Sequence, residues 1–261
     1  MTMFRSFTTA LLATALSAVA PALAQAAPTK PTIVLVHGAF AGSSNWNPVI
    51  TGLEADGYRV VAVANPLRSL AGDADYVARV VKSIDGPVVL VGHSYGGEVI
   101  AVAATGVAGV KALVFVSGLA PDVGESAASL GARFPTGTLG QALAPPVVQA
   151  NGDKDLYIDQ GKYWAQFAAD VPRAAAMQMA ATQRPITAAA LAEGAGRPAW
   201  RTIPSWFIYG SLDRNLPPAL HAFMAQRANA KASIEVEGAS HVAMLSHPRE
   251  VTKLIERAAT Q

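Results

Sequence analysis

Ser94, Asp213 and His241 supply a hydroxyl, a carboxylate and an imidazole, the three groups that nucleophilic catalysis by serine requires. Ser94 stands in Gly92-His93-Ser94-Tyr95-Gly96, which matches G-x-S-x-G. Before it, Pro87 opens the apolar run Val88 to Val91, which reads as a buried strand. After it, Glu98 to Ala104 reads as a helix. A serine at the apex of so tight a strand–turn–helix has strained backbone angles, and side chains at 92 and 96 would collide with neighbouring chain. Its hydroxyl is then exposed at a helix N-terminus, where partial positive charge favours a developing oxyanion.

A serine hydroxyl is a weak nucleophile at neutral pH and needs a base within hydrogen-bond reach. His241 lies in the small-residue loop Gly238-Ala239-Ser240-His241-Val242, after the last strand and before the final helix. That puts it on the same edge of a parallel sheet as the elbow, and it is the expected base. His221, inside a polar helix, and His247, beside Pro248, read as surface residues. His37 ends a strand and reads as a support of the oxyanion loop. His93 points off the elbow and reads as structural, with pocket wall as its second reading.

The base needs an acid that fixes its tautomer and stabilises the imidazolium. Asp213 follows the strand Ser205–Tyr209 and gives the order nucleophile, acid, base. Asp122, after the strand that ends at Val116, is its rival. An oxyanion hole needs two preorganised N–H donors. Tyr95 supplies one, as the residue after the nucleophile, and Ala39 in His37-Gly38-Ala39-Phe40 the other. Phe40, His93, Trp164 and Met244 are candidate substrate-pocket residues, whereas Trp46 reads as ordinary packing.

The elements that must position these groups alternate along the chain. Strands are expected at Pro31–Val36, Tyr58–Val63, Val88–Val91, Val110–Val116, Ser205–Tyr209 and Ser233–Val236. Helices are expected from Asn47 to about Asp56, from Asp73, from about Pro217 to Arg227 and from Pro248 to Ala258. Such alternation implies an α/β fold with a mostly parallel, doubly wound sheet covered on both faces. Between about 119 and 203 the pattern changes to glycine- and proline-rich loops and alanine-rich helices with no strand signal. This reads as an inserted helical cap, roofing the strand ends where such sheets bind ligands.

The 261 residues fit one large domain, and 51% hydrophobic against 15% charged content marks a well-buried globular protein. A formal charge of +2, evenly spread, gives no case for nucleic acid or an anionic membrane surface. With no cysteine, disulfides, thiolate catalysis and thiolate metal sites are excluded. Met1 to Arg5, the apolar stretch Phe7 to Val19 and Ala22-Leu23-Ala24 read as a signal peptide over residues 1–24, cleaved after Ala24 or Ala26, with 27–261 as the exported domain. The apolar core looks too short for a stable membrane anchor. Asp153, Asp155 and Asp159 fail the EF-hand spacing and read as a solvated loop, so no metal is expected. Oligomeric state is not legible.

Taken together, Gly92-His93-Ser94-Tyr95-Gly96-Gly97, His37-Gly38 and the Asp213–His241 pair resemble the α/β-hydrolase superfamily, in its small esterase, haloperoxidase and hydroxynitrile-lyase branch. The resemblance covers roughly residues 31–118 and 203–258. It implies a carboxylic-ester hydrolase acting through an acyl-enzyme on a small-molecule ester or related acyl compound, without cofactor. Cofactor-free haloperoxidases or perhydrolases, and amidases, use the same triad and remain alternatives. Dehalogenases and epoxide hydrolases of the superfamily carry a carboxylate nucleophile where this chain has Ser94. Hydroxynitrile lyases carry a threonine in place of Gly38 and a lysine in place of Val242. A non-catalytic binder has no support, because every triad position is filled.

Overall fold

The computed structural model describes residues 1, 2 and 30–261; most of the expected signal peptide lies outside the described residues. The chain begins with β1 (Thr32–Val36), α1 (Asn47–Ala55), β2 (Val60–Val63), α2 (Leu70–Lys82), β3 (Val88–His93), α3 (Tyr95–Ala103) and β4 (Val110–Val116). An insertion follows, with α4 (Ala127–Arg133), α5 (Leu139–Ala142), β5 (Val147–Val148), β6 (Lys154–Leu156), α6 (Gln160–Phe167), α7 (Arg173–Thr182), β7 (Ile186–Thr187) and α8 (Ala188–Ala192). The chain then rejoins the main sheet through β8 (Ser205–Gly210), α9 (Pro218–Arg227), β9 (Ala232–Val236), α10 (Ala243–Ser246) and α11 (Pro248–Ala259).

The main sheet has six strands in the order β2-β1-β3-β4-β8-β9, with every pairing parallel. Strands buried on both faces read as continuous apolar runs, and Val88 to Leu90 and Leu113 to Val116 are fully buried. From β1 the chain steps one way to β2, then reverses to β3. Right-handed crossovers therefore put α1 on one face and α2 and α3 on the other. Consistent with this, α1 packs on α11 and α2 packs on α3. The reversal leaves a crevice beyond the carboxyl ends of β1 and β3, the usual ligand position in such sheets. The segments after those two ends are His37-Gly38-Ala39 and Ser94.

Strand β3 runs on to His93 and helix α3 starts at Tyr95, so both close on the turn at Ser94, and two further differences from the sequence expectation bear on the site. Helix α2 begins at Leu70, ahead of Asp73, because Ser69 Oγ accepts from the Gly72 N–H at 3.1 Å and Glu193 accepts from Leu70 and Ala71. The insertion is largely helical as expected, but it also holds a three-stranded antiparallel sheet, β5-β6-β7. Strands of two or three residues are too short to show a period of two in sequence. Asp155 of β6 is buried against Arg68 rather than solvated, with the charged nitrogen 2.6 Å away. Among the described residues no helix is long and apolar enough to cross a membrane.

Candidate active site

Ser94 follows β3, Asp213 lies three residues beyond β8 and His241 five beyond β9. Because these strands are parallel, all three residues fall at one edge of the sheet. Ser94 has φ 52° and ψ −125°, a strained conformation for a side-chain-bearing residue. It is held by its own backbone: the Ser94 N–H donates to Val116 O at 3.3 Å, and its carbonyl accepts from Gly97 and Leu119. A Cβ on Gly92 would strike the Gly96 backbone, and one on Gly96 would strike the Val36 carbonyl, so the turn closes only with glycine at both.

Asp213 is the most heavily bonded group at this edge. Its Oδ1 accepts from the N–H of Asn215 at 2.9 Å and of Leu216 at 3.0 Å. Its Oδ2 accepts from His241 Nδ1 at 2.7 Å and from His221 Nε2 at 3.2 Å. Burial pushes this carboxyl up, but the charge and hydrogen bonds of the two imidazoles outweigh it and hold Asp213 well below the usual carboxylate range. An ionised carboxylate only accepts, so His241 carries a proton on Nδ1, and Nε2 is the nitrogen left outside this bond. That Nε2 is buried and has no partner among the described residues, and no hydrogen bond joins it to the Ser94 hydroxyl. Such bonds are often long before substrate arrives. The Phe167 ring packs 5.0 Å from that of His241 and lines the cavity that Ser94 also lines; His241 itself is not in that wall.

The first-strand loop is equally constrained. His37 is buried, and burial lowers its pKa to about 4, so it is neutral at pH 7 and its Nδ1 donates to the Gly38 carbonyl at 2.8 Å. The Gly38–Ala39 peptide is planar, so drawing its carbonyl toward His37 aims the Ala39 N–H the opposite way. Neither that N–H nor the Tyr95 N–H has an acceptor among the described residues. Phe40 sits at φ 59°, pinned by its N–H to Arg184 O at 2.9 Å and by its carbonyl to the Tyr163 hydroxyl at 2.8 Å, both from the insertion.

A cavity of about 330 Å³ opens over Ser94, walled by Ala39, Phe40, Leu119, Leu143, Phe167 and Leu216 among others. Of the expected pocket residues, Phe40 is in this wall and His93, Trp164 and Met244 are not. His93 is fully buried behind the elbow, its Nε2 3.1 Å from His241 O, and burial holds its pKa well below the ordinary value. Trp164 is half-buried against the core, donating to Val171 O at 3.1 Å with the Arg173 guanidinium over its ring. Met244 is buried in α10, which packs on α1, α11 and β8. Asp122 is engaged by Arg201 through two nitrogens and meets no histidine.

His221 corrects the surface reading. It is fully buried, stacked on Tyr209 with ring centroids 4.8 Å apart, and bonded to Asp213. The signal was present: one helical turn on stand Met224 and Ala225, which share its inward stripe. Asn215, buried beside Asp213 and in the cavity wall, carried no such signal.

A family model described as "Alpha/beta hydrolase family" matches residues 33–254. Norfluorocurarine synthase 2 of Strychnos sp is 26% identical over 256 residues, covering 85% of this chain and 92% of that protein. Methylesterase 8 of Arabidopsis thaliana is 31% identical over 138 residues, 46% of this chain and 51% of that protein. Among solved structures, polyneuridine aldehyde esterase superposes with a TM-score of 0.73 at 22% identity, covering 88% of this chain and 99% of the other.

Proposed function

The chain belongs to the alpha/beta hydrolase family and is a carboxylesterase-like hydrolase; on that premise we propose that it cleaves small-molecule carboxylic esters through a Ser94 acyl-enzyme. One observation carries the reading: Asp213, held ionised, fixes a His241 proton on Nδ1 and leaves Nε2 unpartnered at the sheet edge where the strained Ser94 turn opens into an apolar cavity. Ser94 Oγ attacks the ester carbonyl as its proton passes to His241 Nε2. The N–H groups of Ala39 and Tyr95 receive the oxyanion. His241 returns the proton to the leaving alcohol, then takes one from water, whose oxygen attacks the acyl carbon and frees the acid and Ser94. Asp213 stays ionised and stabilises the imidazolium.

The names of the methylesterase and aldehyde-esterase relatives support esters as the substrate class. The buried Val242 beside His241 supplies no cation for a cyanide leaving group, which argues against lyase chemistry. Turnover of p-nitrophenyl acetate and butyrate by Ser94→Ala tests the nucleophile. The expected loss is about 10⁴–10⁶ in kcat, and the wild type alone should gain a covalent adduct with a fluorophosphonate. Undiminished turnover in the variant overturns the assignment. Export on a leader cleaved after Ala24 or Ala26 belongs to the same proposal, and the intact mass of the expressed protein checks it.

A further inference from the structure

The cavity wall is apolar apart from three side chains, Ser94, Tyr95 and Asn215. The Tyr95 hydroxyl is already committed, donating to Asp73 Oδ2 at 2.9 Å. Asn215 is different. Its Oδ1 accepts from Gln166 Nε2 at 2.8 Å. The same Nε2 donates to the Arg214 carbonyl at 3.1 Å, and Gln166 Oε1 accepts from the Thr138 hydroxyl at 2.9 Å. A backbone carbonyl only accepts, so Arg214 settles which end of the Gln166 amide faces it. That in turn settles Asn215: its oxygen must face Gln166. Its Nδ2, with two N–H groups, takes no partner among the described residues and keeps some accessible surface, on a residue of the cavity wall.

A side-chain donor oriented by this network and left open in an apolar wall is how a binding site fixes orientation and selects substrates. Resting on the serine-esterase reading above, we infer that Asn215 is a specificity residue: its Nδ2 donates to an acceptor oxygen, ether or carbonyl, in the acyl or alcohol part of the ester. The preferred substrates are therefore oxygen-bearing esters, not plain hydrocarbon ones. Gln166 and Thr138 act through Asn215 as positioning residues.

Isosteric ester pairs test this. On the acyl side, p-nitrophenyl methoxyacetate, 3-methoxypropionate and 4-methoxybutyrate are compared with butyrate, valerate and hexanoate; on the alcohol side, 2-methoxyethyl butyrate is compared with n-butyl butyrate. The readout is the ratio of kcat/KM within each pair, for wild type and Asn215→Leu. Electronic activation by the ether oxygen is common to both proteins and cancels between them. At the position where oxygen meets Nδ2, the wild-type ratio should exceed the variant's by about three- to tenfold, the worth of one neutral hydrogen bond. Should Asn215→Leu not fold, Asn215→Asp keeps an acceptor toward Gln166, removes the N–H donors and should abolish the same preference. Equal ratios in wild type and variant at every position overturn the inference. Failure of the esterase reading looks different: neither member of any pair is cleaved, or Ser94→Ala cleaves both.

Discussion

At the carboxyl ends of β1 and β3 the chain packs backbone against backbone. In the insertion between β4 and β8 it packs side chain against side chain, and it meets the edge that carries Ser94, Asp213 and His241 through ring contacts and separate hydrogen bonds. The elbow turn has no room for a methyl group at Gly92 or Gly96, and Gly38 lies directly against Ser94. The insertion meets that edge through the Tyr163 hydroxyl and Arg184 carbonyl on Phe40, through Asp170 and the Phe167 carbonyl, which accept from the Ser240 hydroxyl beside His241, through the Phe167 ring against His241, and through Gln166 on Asn215. The first region leaves no space for an added side chain, so a substitution there must move backbone. The second is held by separable bonds, each of modest worth. Changes at the sheet edge, of charge or of geometry, should therefore be large, whereas changes in the insertion should be small and graded.

The largest effect within this contrast falls on Asp213. Asp213→Asn keeps the shape but removes the charge that fixes the His241 tautomer, and kcat on p-nitrophenyl butyrate should fall by about 10⁴. Asp122→Asn, which breaks only a surface pair with Arg201, should stay within about threefold of wild type. The reverse ranking would move the acid to the strand before the insertion.

Next comes Gly38→Ala. The new Cβ would lie 2.6 Å from Ser94 Cβ and 2.7 Å from His93 O, so the oxyanion loop must shift. Displacing the Ala39 donor should lower kcat by about 10²–10³. A variant with unchanged kcat would show that this loop has slack, and the contrast between the two regions would fail there.

A third measurement separates the regions by acid. Residues 117–204 contain no histidine, whereas His37 and His93 are buried at the sheet edge. Burial holds His37 at about 4 and His93 well below the ordinary 6.5. The unfolded chain thus binds these protons first, so their stabilisation is complete above about pH 6.5 and is lost as pH falls toward 4. For His37 alone the loss by pH 4 is about 3 kcal/mol. Urea midpoints from pH 7 to 4 should fall accordingly, and His37→Gln should flatten the slope.

The same division explains what was legible in the sequence. Strand β3, the elbow turn and the placement of Ser94, Asp213 and His241 at one edge of the sheet were readable because each depends on local sterics or on where its strand ends. Gly92 and Gly96 announce the close approach that requires them. His221 was misread because its helix is apolar on every side from Ala219 to Ala225, so no single stripe marks the face it shares with Met224 and Ala225, and its bond to Asp213 joins two elements. Asn215 and Gln166 meet only once α6 has folded over the strand ends, and no spacing encodes that. Trp164 and Met244 are absent from the cavity wall for the same reason: apolar character marks burial, not which surroundings a ring or thioether is buried in.

The smallest effect is expected at a tether. Tyr163→Phe keeps the ring packed on Phe167, 4.9 Å between centroids, and removes only the hydroxyl that donates to Phe40 O. The orphaned carbonyl is buried, so about 1–3 kcal/mol of stability should be lost, a few degrees in Tm for a fold of this size. Phe40 still has its N–H on Arg184, and His37 still orients the Gly38 carbonyl, so the Ala39 donor should hold its aim. On that basis kcat on p-nitrophenyl butyrate should fall less than about tenfold, well short of the loss in Gly38→Ala. Comparable losses in the two variants would mean that the loop at φ 59° is kept in place by the insertion and not by the sheet edge, and the roof would then be part of the catalytic geometry.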